Sequence, residues 1–168
     1  MDKLKILFLC TGNSARSILA EYILRKRDPI RFASFSAGAS PSGEPHPMAL
    51  NILKEQFHVD PSEARSKSWD EFKDERFDIV ITVCDNARET CPVWPEQPIV
   101  AHWGSPDPAA FVGTEDETSR YFKEVAIQIS RRIDLLTALP FERLWQNYRL
   151  KFEEDVKRIG EQASFEPA

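Results

Sequence analysis

A chain of 168 residues and 19.3 kDa is one domain's worth of sequence, long enough to bury a core without disulfide or metal staples. Hydrophobic residues make up 42% and charged residues 29%; the net charge of −5 and the pI near 5.3 exclude the basic face that nucleic acid or an anionic membrane demands. No apolar run of about 18 residues offers a transmembrane helix, and MDKLKILFLC lacks a small-residue cleavage site, so a cytoplasmic protein is expected.

In chain order, Leu4-Lys5-Ile6-Leu7-Phe8-Leu9 is a nearly continuous apolar run, the mark of a strand covered on both faces. It ends in Cys10-Thr11-Gly12-Asn13-Ser14-Ala15-Arg16-Ser17. Ile18, Leu19, Tyr22 and Ile23 then recur at helical spacing until Asp28-Pro29 stops them. Arg31 to Ala37 reads as a second strand, and Pro47 to Phe57 as a helix with Met48, Leu50, Ile52 and Leu53 in register. Ser68 is placed to cap a short helix holding Trp69 and Phe72. Asp78 to Val83 is the second strong buried strand, with Cys84 at its end, and Pro98 to Trp103 is a weaker fourth. A loop with Gly104, Pro106, Pro108 and Gly113 leads into a long helix from Thr118 to Leu139. Beyond Pro140, the residues Leu144, Trp145, Tyr148 and Phe152 fit one more amphipathic helix, and the chain is expected to fray from Glu161 on.

The expected fold class is α/β: a single domain, residues 1–139, with a four-stranded parallel sheet and helices on both faces, then a C-terminal helical extension over 140–168. Ligands of such sheets bind outside the carboxyl ends of the strands, which puts Cys10 and Cys84 on the functional rim.

The chain has three cysteines, Cys10, Cys84 and Cys91. An odd, small number without an export signal is no disulfide framework, so burial, metal binding or chemistry must account for them. The loop after the first strand favours chemistry. A loop entering a helix N-terminus can turn successive N–H groups inward as an anion cradle, with the helix dipole behind them. Gly12 and Asn13 tolerate the unusual backbone angles this needs. Arg16 supplies a planar fork for two oxygens of a tetrahedral oxyanion. Cys10 at the base is expected to have its pKa lowered by the same dipoles, and Ser17 can donate to its sulfur.

The segment Cys10 to Ser17 resembles the phosphate loop of the low-molecular-weight protein tyrosine phosphatases, a superfamily that also holds the arsenate reductases working through a cysteine relay. The resemblance runs from about Lys3 to Leu139. Both families share the cradle, so it does not separate them. Cys84-Asp85-Asn86-Ala87-Arg88-Glu89-Thr90-Cys91-Pro92 does: it is similar to the redox stretch of the relay reductases, down to the final Cys-Pro. The resemblance implies that Cys10, Arg16, Cys84, Cys91 and Asp107 are catalytic. Thr11, Gly12, Asn13, Ser14, Ala15, Arg16 and Ser17 would bind arsenate, with phosphate as competitor. No bound cofactor is implied, only an external thiol reductant, thioredoxin or a glutathione–glutaredoxin system. Seven residues of rigid helix span about 10 Å, beyond the roughly 7 Å a disulfide allows between Cα atoms, so the segment from Cys84 to Cys91 must loop or unwind when the pair oxidises. Cys-x6-Cys is not usual zinc spacing, and no metal is assigned.

Ser105-Pro106-Asp107-Pro108 resembles the general-acid loop of both families, although Asp-Pro is also a common turn. The aromatic that follows it in the phosphatases is displaced here to Phe111, which fits a small inorganic substrate. Asn13, Glu21 and Ser36 match positions that surround potassium in some of these reductases. The acidic partner expected near position 65 is missing from Ala64-Arg65-Ser66-Lys67, so a cationic side chain replaces the ion or the site is absent. Histidines 46, 58 and 102 and tryptophans 94 and 103 read as surface, loop or packing residues. Two alternatives stay open: a tyrosine phosphatase with redox-protective cysteines, and a non-catalytic oxyanion-binding regulator.

Overall fold

The protein is described here over residues 2–162 by a computed structural model. A four-stranded parallel sheet in the order β2-β1-β3-β4 forms its centre. The elements run β1 (Leu4–Cys10), α1 (Arg16–Arg27), β2 (Phe32–Gly38), α2 (Pro47–Phe57), β3 (Ile79–Thr82), α3 (Asp85–Thr90), β4 (Ile99–His102), α4 (Glu115–Ala138), α5 (Phe141–Asn147) and α6 (Arg149–Glu161). From β1 the chain steps one way to β2, and from β3 it steps the other way to β4. This reversal opens a crevice at the carboxyl ends of β1 and β3. Cys10 is the last residue of β1, and Val83 N–H bonds the Leu9 carbonyl at 2.8 Å, so Cys84 comes out beside it.

The two central strands are apolar on both faces because both faces are covered: Ile6, Leu7, Phe8, Leu9, Ile79, Val80 and Ile81 are all fully buried. On β2 the faces separate by alternation. Ser34 and Ser36 turn to α1 and bond Glu21, whereas Phe35 turns away into edge-on contacts with Phe72 and Phe77. That second face is closed by the 3₁₀ turn Trp69–Phe72, capped by Ser68, and by Trp94 against Phe77. Trp94 and Trp103 are packing residues, as expected.

Two elements differ from the sequence expectation. The long helix starts at Glu115, three residues before Thr118, because Thr114 and Glu117 form a capping box and the acidic residues of the first turn suit the helix dipole. The extension is two helices, not one: the chain breaks at Tyr148 (φ −140°, ψ 50°) between α5 and α6. Phe152, Val156 and Ile159 of α6 are buried, and the helix lies along the edge strand β4. Glu161 ends α6; residues 163–168, where fraying was expected, fall outside the described residues. Among the described residues no helix is long and apolar enough to cross a membrane.

Candidate active site

The loop between β1 and α1 is shaped from outside. The carbonyls of Cys10, Thr11, Gly12 and Ser14 accept from the N–H groups of Ala39, Ser40, Ser42 and His46 at 2.8–3.1 Å. Ser66 Oγ also donates to Gly12. With the carbonyls engaged on that side, the loop can turn N–H groups other than those of Asn13 and Ser17 toward an anion. The approach of the two segments requires a glycine at 38, where a Cβ would stand 2.5 Å from the Thr11 carbonyl. The left-handed residue is Asn13 (φ 46°); Gly12 does not use its freedom of φ, which corrects half of the expectation.

That conformation turns Asn13 N–H onto Cys10 Sγ at 3.1 Å. Asn13 Nδ2 donates to Ser17 Oγ (2.8 Å) and to Ser36 Oγ (3.0 Å). Ser17 Oγ, 2.9 Å from Cys10 Sγ, is therefore free to donate its own proton to the sulfur. Burial nevertheless pushes the Cys10 thiol above its ordinary value. The Ser17 hydroxyl, the Arg16 charge and the N–H groups of Asn13 and Ser17 pull down without offsetting it. The lowered pKa expected from the dipoles alone is thus corrected: desolvation at the floor of the cradle outweighs them.

Behind Asn13 stands a buried cation. Lys67 Nζ faces Arg65 O (3.1 Å), Ser36 Oγ (3.3 Å), Asn13 Oδ1 (3.5 Å) and Glu21 Oε1 (3.6 Å), while Lys67 N–H donates to Asn13 Oδ1 at 2.9 Å. The groups that would hold a potassium ion hold an ammonium instead, and the donor set does not fit a metal cation alongside it. Burial and the Arg65 charge lower the lysine's pKa, and Glu21 opposes them.

Arg16 Nη1 donates to the Ser105 carbonyl at 2.9 Å, and Nη2 lies 3.7 Å from Asp107 Oδ2. Asp107 caps the turn Pro108–Ala110 through Ala109 N–H and keeps its other oxygen toward Arg16, so it is both turn residue and rim carboxyl. Phe111 is stacked on Tyr121 with centroids 4.6 Å apart.

Cys84 is buried and caps α3, its sulfur accepting from Ala87 N–H at 3.4 Å. The same sulfur lies 3.3 Å from Thr11 Oγ1, which Asn86 Nδ2 bonds at 3.1 Å. Cys91 is not brought to this mouth. It caps the far end of α3, half-buried, its thiol raised by burial and pulled down by the Trp94 indole. Cys10, Thr11, Asn13, Arg16, Ser17, Cys84 and Asp107 surround one mouth; Gly12, Ser14 and Ala15 supply its backbone, Ala15 as the residue before α1.

Sequence reasoning missed Gly38 and Asn86, which act across loops that no local pattern joins. Of its two readings of Ala64-Arg65-Ser66-Lys67, the cationic side chain in place of the ion is the one found, supplied by Lys67. His46 and His102 take structural places, as expected: the former caps α2 through Nδ1. The latter bonds Thr82 through Nδ1 and faces Asp85 through Nε2 at 3.2 Å, tying β4 to the start of α3.

The sequence profile of the low molecular weight phosphotyrosine protein phosphatases matches residues 5–148. The chain belongs to that family. It is a family of enzymes, and several curated relatives of this chain are arsenate reductases. An arsenate reductase of Halalkalibacterium halodurans is 38% identical over 133 residues, 79% of this chain and 94% of the relative. A solved arsenate reductase in a phosphate-binding state superposes with a TM-score of 0.67 at 29% identity, over 80% of this chain and 97% of that one. The thioredoxin-dependent arsenate reductase of Corynebacterium glutamicum superposes with 0.60 at 26% identity, over 89% of this chain and 63% of that one. Helix α6 lies beyond the residues the family profile matches.

Proposed function

We propose that the protein reduces arsenate to arsenite by a relay through Cys10, Cys84 and Cys91, with thioredoxin as the external reductant. The observation that carries this reading is the Cys84 sulfur on Thr11, a residue of the cradle itself. Hydrolysis through Cys10 needs only water for its second step, whereas the relay needs a second thiol beside the cradle.

The cradle N–H groups and Arg16 bind the tetrahedral dianion, and phosphate competes because it offers the same shape and charge. Cys10 attacks arsenic, and its thiol proton passes to an arsenate oxygen as the sulfur–arsenic bond forms. Asp107 protonates the oxygen that leaves as water. Cys84, as thiolate, attacks the Cys10 sulfur; the sulfur–arsenic bond breaks, its electron pair stays on arsenic, and arsenite departs. Cys91 then attacks Cys84, freeing Cys10 and leaving a Cys84–Cys91 disulfide for an external dithiol. The thioredoxin dependence of the Corynebacterium neighbour supports thioredoxin over glutaredoxin. A reducing cytoplasm suits three unpaired thiols.

The test is arsenite formation with thioredoxin, thioredoxin reductase and NADPH, for wild type and for Cys10→Ser, Cys84→Ser and Cys91→Ser, beside an aryl phosphate assay. Turnover by wild type alone is expected. If Cys91→Ser keeps its rate, an external thiol and not Cys91 resolves the Cys10–Cys84 disulfide. Aryl phosphate hydrolysis without arsenate reduction would make the protein a tyrosine phosphatase with redox-protective cysteines.

A further inference from the structure

Arg132, on α4, is 3% exposed, and its guanidinium has no carboxylate within ion-pair distance among the described residues. A buried charge satisfied by carbonyls alone is costly to keep, so its two bonds locate its use. Nη1 donates to the Gly104 carbonyl at 2.8 Å and Nη2 to the Gly160 carbonyl at 3.3 Å. Gly160 lies in the last turn of α6, where carbonyls are unpaired and a cation is favoured. Gly104 begins the loop that carries Asp107.

From Gly104 the contacts continue to the anion site in one residue. Ser105 N–H bonds the Val83 carbonyl, its hydroxyl bonds Gln128, and its carbonyl holds Arg16 Nη1. On the other side α6 is seated hard against β4: a Cβ at Gly160 would stand 2.0 Å from the His102 carbonyl, and Trp103 Nε1 donates to the Val156 carbonyl at 3.0 Å. Gly104 and Ser105 are thus fixed from α4 and α6, and Arg16 hangs on the carbonyl they present.

We propose that Arg132 is a positioning residue for Arg16, linking the C-terminal helix α6 to the anion cradle through Gly104 and Ser105. The extension is then a working part of the site. The proposal rests on Arg16 as the anion-binding side chain and not on arsenate reduction, so inorganic phosphate is the probe.

The experiment is a double-mutant cycle on phosphate affinity in the full chain, read as protection of Cys10 from alkylation, with Arg132→Met, Arg16→Lys and the pair. Loss of the Arg132 bonds is expected to weaken phosphate binding about tenfold. The double variant should lose clearly less than the product of the two single losses, because Arg132 acts through Arg16. Arg132→Lys, which reaches one carbonyl but not both, should fall between wild type and Arg132→Met. Phosphate affinity within twofold of wild type in Arg132→Met, or losses that simply multiply, overturns the proposal. Should Arg132→Met fail to fold, Gly160→Ala enters the same cycle by pushing α6 off β4, with the same two deciding outcomes. A failed reductase assay leaves this result untouched.

Discussion

Asn13 is the residue on which the cradle turns. Its left-handed backbone aims an N–H at Cys10, and its side chain reaches Ser17, Ser36 and Lys67 at once. Two predictions follow at this scale. Ser17→Ala removes a donor that pulls the Cys10 thiol down, so the pH midpoint of Cys10 alkylation should rise further above the ordinary thiol range. The linked effect on stability has a definite sign. The folded thiol holds its proton more tightly than the unfolded one, so its contribution is complete below the ordinary thiol pKa and is lost as pH rises through the folded value. Lys67→Met removes the cation facing Glu21 Oε1 and Asn13 Oδ1, while Arg25 still pairs with Glu21 Oε2, so the cost in urea unfolding should be about 2 kcal/mol. The spacing from Cys10 to Ser17 was legible in sequence because one loop carries it. A cation in place of the ion was legible, as one of two readings, from the missing acidic residue near 65. Which side chain supplies it was not, because Lys67 arrives two residues further along a loop with no periodic pattern.

Among the elements, α3 has the most to do in the proposed reaction. It is six residues long, with Cys84 and Cys91 as its two caps. A helix of that length keeps its ends about 10 Å apart, so a Cys84–Cys91 disulfide and an intact α3 exclude each other. Amide exchange checks this: Arg88 N–H, bonded to the Cys84 carbonyl at 3.1 Å, should lose protection on oxidation of wild type and keep it in Cys91→Ser. The neutral ring of His102, its pKa lowered by burial and by the Arg88 charge, holds the start of α3 through Asp85. The sequence foretold the need for unwinding from spacing alone. It did not reveal that a helix stands there to be unwound, since the segment is short, polar and flanked by prolines.

At the scale of the molecule, the strand order matters more than any single strand. The reversal between β1 and β3 brings two sequence-distant thiols to one crevice. The alternation of apolar strands with helical patterns made that architecture readable, because a doubly covered strand has to be apolar throughout. The far end of the chain was harder. Leu144, Trp145, Tyr148 and Phe152 announce an amphipathic helix, but nothing in their spacing says that the chain breaks at Tyr148 or which surface it covers. Phe152 is fully buried, so Phe152→Ala should cost about 4 kcal/mol of stability in denaturant unfolding, with α6 loosened from β4.

The pairing of the loop's carbonyls with residues 39–46 carries one more consequence. None of those four donor amides belongs to the groups that meet the anion, yet each has its hydrogen bond made before any anion arrives. For the anion binding we propose, the receptacle is therefore preorganised: the entropic cost of shaping it is met during folding and not on binding.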